Sequence, residues 1–438
     1  MSTATEGATG RIKAAWQAAR AGLGGGHEWQ RRREAALARL LERGLPDRRD
    51  ENWKYLDWHE LGQRDLGVSA TGLADAALPA GVVKGFATGR TVLLVDGRWS
   101  AGPGGLPEGV EVESLSAALD RDPALAARAL SVPGDAADER FALLAEAFTG
   151  DGVLVRIGDG VDAGEPLYVV HASSGGSPSS ARILVEAGRH SRLQLVEHFL
   201  GGGESAPLSN LASEVRLGDG AVVEHLRLHQ QQAGAAHVET LQVDQQRDSS
   251  YRQQLFLLGA RVLRSNLHLR LTGAGAECAL HGLFMVDGQR QADLYTVFEH
   301  VAGHTRSEEL VRGVATDRGR GAFNGRILVG PGAAKSDSAQ SSRNLILSER
   351  AEINSRPQLE ILTDDVKCSH GSTTGSLDPT QLFYLLSRGI DPETARGLLT
   401  FAFCEDVVAR VSHTGLRHHI EELVVGRLPD RDIIKEFL

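Results

Sequence analysis

The rhythm of apolar and polar positions changes three times along the chain. Over roughly the first sixty residues Trp16, Leu37, Leu40 and Leu41 stand among Ala, Arg, Gln and Glu, in runs broken at 22–26 and 44–46; these read as helices. The aromatics of Trp53-Lys54-Tyr55 follow and are suited to cap a neighbouring core. A strand is expected at 91–95, ending at the turn signal Asp96-Gly97, and the Ala-rich stretch 115–148 reads as helix again.

Between about 152 and 366 the helical period gives way to short β-type runs, many of them alternating, separated by Gly, Asp and Ser. Examples are 153–157, 167–170, 182–185, 193–196, 222–228, 267–271 and 353–361. Turn glycines recur at Gly158, Gly188 and Gly218, thirty residues apart, which is a period typical of stacked architectures. A Greek-key sandwich and a solenoid both accommodate such strands. Even spacing and few aromatics favour a β-helix solenoid, although later turns near Asp248 and Gly273 drift from the period.

From about residue 376 the pattern returns to helix. Asp378-Pro379 and Asp391-Pro392 each set a capping acid before a first-turn proline, with Gly389 as the stop between them. A helical hairpin follows. Its second helix carries Ala395, Leu398, Leu399, Ala402, Phe403 and Val407 on one stripe and Phe401, Cys404 and Val408 on another. One face is expected to meet its own protein and the other, with Phe401, Cys404 and Val408, a partner. A helix sunk in its own domain is the competing reading.

Charge removes one class of function. With 57 acidic against 47 basic residues and a net charge of −10, no phosphate-neutralising surface is encoded, so nucleic acid is not an expected partner. The three cysteines, Cys278, Cys368 and Cys404, are too few and too scattered for a disulfide framework. They fit a reducing compartment, and the lack of a signal-peptide pattern or a run of about eighteen apolar residues leads us to expect a cytoplasmic protein without a membrane partner.

The run Asp364-Asp365-Val366-Lys367-Cys368-Ser369-His370 is the most informative for chemistry. On a strand, Cys368 and His370 share a face about 6.6 Å apart, where a thiolate and an imidazole can reach one iron or one cluster edge. Two donors do not complete a site, so others must come from another coil or chain. The alternative is that Cys368 packs as a small apolar residue and His370 bonds locally. The pairs His225/His229 and His300/His304 have helical zinc spacing but lie in β context without H-E-x-x-H; His418-His419 reads as solvated, and Cys278 and Cys404 as core. The run 330–336 lacks both glycines of a phosphate loop, and neither G-x-S-x-G nor a well-placed G-x-G-x-x-G occurs, so no ATP hydrolysis or common enzyme chemistry is expected.

Taken in order, Ser341-Ser342-Arg343-Asn344-Leu345-Ile346-Leu347-Ser348, Ala351-Glu352-Ile353, Pro357-Gln358-Leu359-Glu360-Ile361, the run from Asp364 to Gly371, Gln381-Leu382-Phe383-Tyr384, Ser387-Arg388-Gly389-Ile390 and Ala402-Phe403 resemble the core signature of the SufB/SufD family of iron–sulfur cluster assembly scaffolds. The segment around Trp53 matches the family's N-terminal motif more weakly. Within the family, D-D-V-K-C-S-H-G resembles the member that pairs with SufB, whereas SufB has a V-E-H-E-A-type run there and further cysteines.

The resemblance implies a mainly β protein: a right-handed parallel β-helix core over 151–375, a helical region over 1–85, a mixed linking region over 86–150 and a helical domain over 376–438 that docks an ATPase. It further implies a non-catalytic scaffold subunit with SufB across an edge of the β-helix and the SufC ATPase on the C-terminal helices, through Leu382, Phe383, Phe401, Cys404 and Val408. A homodimer is expected for the isolated chain. His370, with Cys368 auxiliary, would contribute ligands to an iron or iron–sulfur cluster held transiently at the SufB interface, with no permanent cofactor. Alternatives are a SufB-like principal scaffold, which the shortage of cysteines opposes, and a secreted β-helix polysaccharide lyase, which needs a secretion signal.

Overall fold

The computed structural model describes residues 3–24, 26–47, 49–56, 61, 64, 89–122, 124–125, 139–203, 207–429 and 431–434. Its strands are β1 (Thr91–Val95), β2 (Arg98–Ala101), β3 (Val110–Ser114), β4 (Asp151–Ile157), β5 (Leu167–Ser173), β6 (Ser179–Ala187), β7 (Arg192–Gly201), β8 (Leu208–Leu217), β9 (Val222–His229), β10 (Ala236–Gln245), β11 (Ser250–Leu257), β12 (Val262–Leu271), β13 (Glu277–Val286), β14 (Gln291–His300), β15 (Arg306–Ala315), β16 (Arg320–Val329), β17 (Asp337–Ile346), β18 (Glu352–Ile361) and β19 (Lys367–Gly375). The helices are α1 (Thr3–Ala19), α2 (His27–Arg43), α3 (Leu115–Arg121), α4 (Arg140–Phe148), α5 (Pro379–Ser387), α6 (Pro392–Val408), α7 (Thr414–Val425) and α8 (Arg431–Ile434).

From β4 onward the chain winds as a parallel β-solenoid. Even-numbered strands stack in one sheet and odd-numbered strands in the other, each pairing in parallel with the strands one coil before and after. The thirty-residue turn period is the coil itself: the Gly188 N–H donates to the Ile157 carbonyl and the Gly218 N–H to the Ala187 carbonyl, both at 2.8 Å. In-register stacking turns alternation into columns. One inward column runs Val155, Val185, Val215, Val243, Leu269, Phe298, Ile327 and Leu359 from first coil to last. All but Leu359 are buried, each worth about 1.5–3 kcal/mol of transfer free energy for a fully buried aliphatic or phenyl group.

The helices cover the outer faces. Trp53, fully buried, stacks on Phe141 of α4 and lies 4.3 Å from the guanidinium of Arg264, which pairs with Asp293 at 2.6 Å. The Trp53 segment therefore caps the even sheet. The 86–150 region does more than link: β1 extends the odd sheet in parallel, while β2 and β3 add antiparallel strands at the first end of each sheet. Of the helical stretch read at 115–148, α3 and α4 are seen and 126–138 lie outside the described residues.

At the other end, Asp378 and Asp391 cap α5 and α6 through backbone N–H groups at 2.8–3.0 Å, and Gly389 adopts φ 84° between them. Helices α6, α7 and α8 bury Cys404, Val407, Val408, Ile420 and Val424 against the outer face of the odd sheet, on Leu226, Phe256 and Leu283 among others. Among the described residues no helix is long and apolar enough to cross a membrane.

Candidate functional site

Among the described residues the last coil has no successor. β18 and β19 are the terminal strands of the two sheets, and β19 is exposed along almost its whole length. Register fixes which way its side chains point. Cys368 stacks on Ser338, His370 on Gln340, Ser372 on Ser342 and Thr374 on Asn344, and these four β17 residues are buried, inward-facing positions. Cys368 and His370 thus occupy the final inward rung, and His370 is exposed because none of the described residues stacks on it. Cys368 is half-buried against the solenoid core, and burial, with the charge of Asp337, pushes its thiol pKa up.

Beneath this rung the interior is polar. Gln340 donates to the Glu309 carboxylate at 2.6 Å, and the Thr296 hydroxyl donates to its other oxygen at 2.7 Å. Burial raises the Glu309 pKa to about 7 despite these two bonds. Gly325 makes room for this arrangement, since a β-carbon there would run into the Gln340 amide. Under Cys368 a second chain runs Ser338, Ser307, His300 and Thr305 through contacts of 2.6–2.9 Å. Across the opening, Ser372 donates to Ser355 of β18 at 2.8 Å, and Ile361 and Leu362 are exposed just beyond it.

The five residues expected to dock a partner separate. Phe383 is 70 % exposed and Leu382 partly so, on α5, which has no buried residue; Tyr384 and Leu386 extend the same exposed apolar surface. Phe401 is half-buried. Cys404 and Val408 are fully buried against the protein's own odd sheet, so they cannot form a docking face. The burial that removes them also pushes the Cys404 thiol up to about 12. The stripe containing them is the inward face of α6, the sunken-helix alternative.

The remaining histidines resolve in the same way. His300 is buried, with its pKa lowered by burial to about 4, while His304 sits exposed on a turn, so that pair does not converge. His418 is exposed as expected, but His419 is half-buried beside His198. Lys335, in the run that resembled a phosphate loop, pairs with Asp365 one coil on at 2.5 Å, and its turn leads into a strand. Cys278 is buried in the core.

Two further features escape sequence reasoning. One is a groove of about 1090 Å³ on the outer face of the even sheet, where Arg156–Glu186 and Arg270 with Asp244 and Glu299 pair with one another. Those carboxylates are neutralised by their neighbours, which does not match the lyase alternative. The other is an ionic network in the solenoid interior. Glu197 accepts from His171 and His225 at 2.8 and 2.9 Å, and Arg227 joins it to Glu239 at 3.1 and 2.9 Å. Burial opposes ionisation of both carboxylates, yet Arg227 and the surrounding histidines hold each well below the usual range.

Comparison with known proteins places this geometry in context. The family model described as SUF system FeS cluster assembly, SufBD core domain, matches residues 169–403, and that for the SufBD protein N-terminal region matches 26–169. The chain is 28 % identical over 398 residues to the iron-sulfur cluster assembly protein SufD of Escherichia coli, covering 90 % of this chain and 92 % of that one. It is 25 % identical over 410 residues to a SufBD family protein of Synechocystis, covering 90 % of each. With SufD of Bacillus subtilis it shares 27 % over 290 residues, 66 % of each chain.

Proposed function

The chain belongs to the SufBD family of iron–sulfur cluster assembly proteins, and from that premise we propose that it serves as a SufD-type, non-catalytic scaffold subunit in the cytoplasm. Its open solenoid end pairs with SufB, and its C-terminal helices dock the SufC ATPase, which hydrolyses the ATP. The nascent cluster is cargo, held transiently between the two scaffolds. His370 supplies an imidazole from this side and Cys368 an auxiliary thiol. The observation that carries the reading is the placement of both residues on the last inward rung of an uncapped solenoid. There a partner's side chains can complete a donor set that two local ligands leave unfinished.

The terminal strands suit strand-edge association, because an unpaired edge is a template for another chain. The exposed Phe383, Tyr384 and Leu386 of α5 suit the ATPase. A mechanical path joins the two regions. Asp406 of α6 accepts from Arg312 of β15 at 2.9 Å, and the same strand carries Glu309 beneath the open end. ATP-driven movement of the helices would therefore pull on the coil that supports His370.

Hydrogen exchange on the chain with and without SufB, and SufC capture by Phe383→Glu, test the two interfaces separately. Protection of β19 amides on adding SufB, and loss of SufC with SufB binding retained in Phe383→Glu, are expected. Unchanged exchange at β19, or full SufC binding by Phe383→Glu, contradicts the corresponding interface.

A further inference from the structure

We propose that the solenoid interior holds a second, separate site for a divalent first-row metal, iron(II) or zinc(II), formed by His229, His237 and Glu239. His229 closes β9 in the odd sheet, while His237 and Glu239 stand two apart on the inward face of β10 in the even sheet, so the connection between the sheets folds them together. One donor atom from each lies within 4.8 Å of the others. All three side chains are buried, and His229 has a well-aligned hydrogen bond at neither ring nitrogen. A buried imidazole with no partner at Nδ1 and only the Glu239 carboxylate, at 3.2 Å, beside Nε2 needs an explanation, and a ligand supplies one.

The surroundings are built as a metal's supporting shell is built. Phe199 stacks on the His229 ring at 4.2 Å and interplanar 4°, fixing its orientation, and Ser265 donates to the far oxygen of Glu239 at 2.5 Å. The nearer oxygen faces both imidazoles, at 3.2 and 3.3 Å. Two carboxylates, Glu197 and Glu239, share one guanidinium, Arg227, so the buried cluster carries room for a further positive charge. Arg227 can remain on Glu197 when Glu239 takes a metal. A crevice of about 30 Å³, walled in part by His171, Phe199 and His237, lies against the His237 side of the cluster and is the size of one water or ion. Two imidazoles and one carboxylate select borderline dications over magnesium or calcium, and the same set serves non-haem iron(II) and zinc.

The site is independent of the cluster-assembly reading. Anaerobic titration of the full chain with cobalt(II) tests it, because a histidine-bound cobalt shows visible ligand-field bands. One equivalent of such cobalt, displaced by zinc(II), is expected. The affinity should fall by at least about tenfold in His237→Ala and in Glu239→Gln and be unchanged in the double variant Cys368→Ser, His370→Ala. Absent bands in the wild type, or bands unaltered in a folded His237→Ala, overturn the proposal. Should the variants not fold, X-ray absorption of the zinc-loaded wild type decides: two imidazoles with oxygen donors support it, and a thiolate-containing shell overturns it. Dialysis against iron(II) and zinc(II) separately assigns the metal, and retention of neither contradicts the site.

Discussion

The two ends of the solenoid are built from the same coil and finished differently. At the first end, β2 and β3 turn back antiparallel onto β1 and β4, and Leu94 and Val153 behind them are fully buried. At the last end β18 and β19 are the terminal strands among the described residues; the inward positions of β19 are Cys368, His370 and Ser372, while β18 keeps Ile353 and Leu359 beside Ser355 and pairs Arg356 with Glu51 at 2.8 Å. Sheet edges are ordinarily blunted because they recruit other chains. The proposed partner contact rests on the exposure of this last edge.

The largest effect expected from this contrast lies within a single inward column. Leu195 and His370 occupy equivalent rungs, six coils apart along Leu195, His225, Gln253, Leu280, Glu309, Gln340 and His370. Leu195→Ala should cost about 2–5 kcal/mol in chemical denaturation. A cost below about 1 kcal/mol would mean that the first coils are not the stabilising part.

Glu309 should give the next largest effect, and a pH-dependent one. Its folded pKa of about 7 lies above the ordinary 4.5, so the stability it contributes is fully present below about pH 4.5 and is lost as pH rises through 7. Glu309→Gln should match wild type near pH 4.5 and exceed it by about 2–3 kcal/mol at pH 8, because each tenfold change in proton affinity is worth about 1.4 kcal/mol. A constant difference across that range removes the buried carboxyl from the account. Asp406→Ala should cost about 1 kcal/mol or less, since Asp406 is partly solvated although Arg312 is buried. Its larger consequence should be weaker coupling of SufC's ATP binding to exposure of Cys368. The smallest effect is His370→Ala, within about 0.5 kcal/mol of wild type, while alkylation of the native chain should reach Cys368 and spare Cys278 and Cys404.

Much of this contrast is legible in the chain. Gly158, Gly188 and Gly218 announce the coil, because a stacked turn must repeat, and Cys368 and His370 share a face for the simple reason that they are two apart on a strand. The docking stripe through Cys404 and Val408 is misread because α6 is apolar nearly all round, and periodicity cannot say which face the odd sheet covers. Spacing along one strand pairs His229 with His225, whereas its neighbours His237 and Glu239 come from the facing sheet. The His-x-Glu alternation at 237–239 is the one signal available. Glu309 looks like any charged strand residue until register places it above Leu280 and below Gln340.

The most direct test of the central claim is iron and acid-labile sulfide per complex after anaerobic co-purification of this chain with SufB and SufC, for wild type and His370→Ala. The account predicts that the complex forms in both cases and that the variant loses iron and sulfide. Undiminished iron and sulfide in an intact His370→Ala complex would contradict it and leave the open end an architectural surface alone.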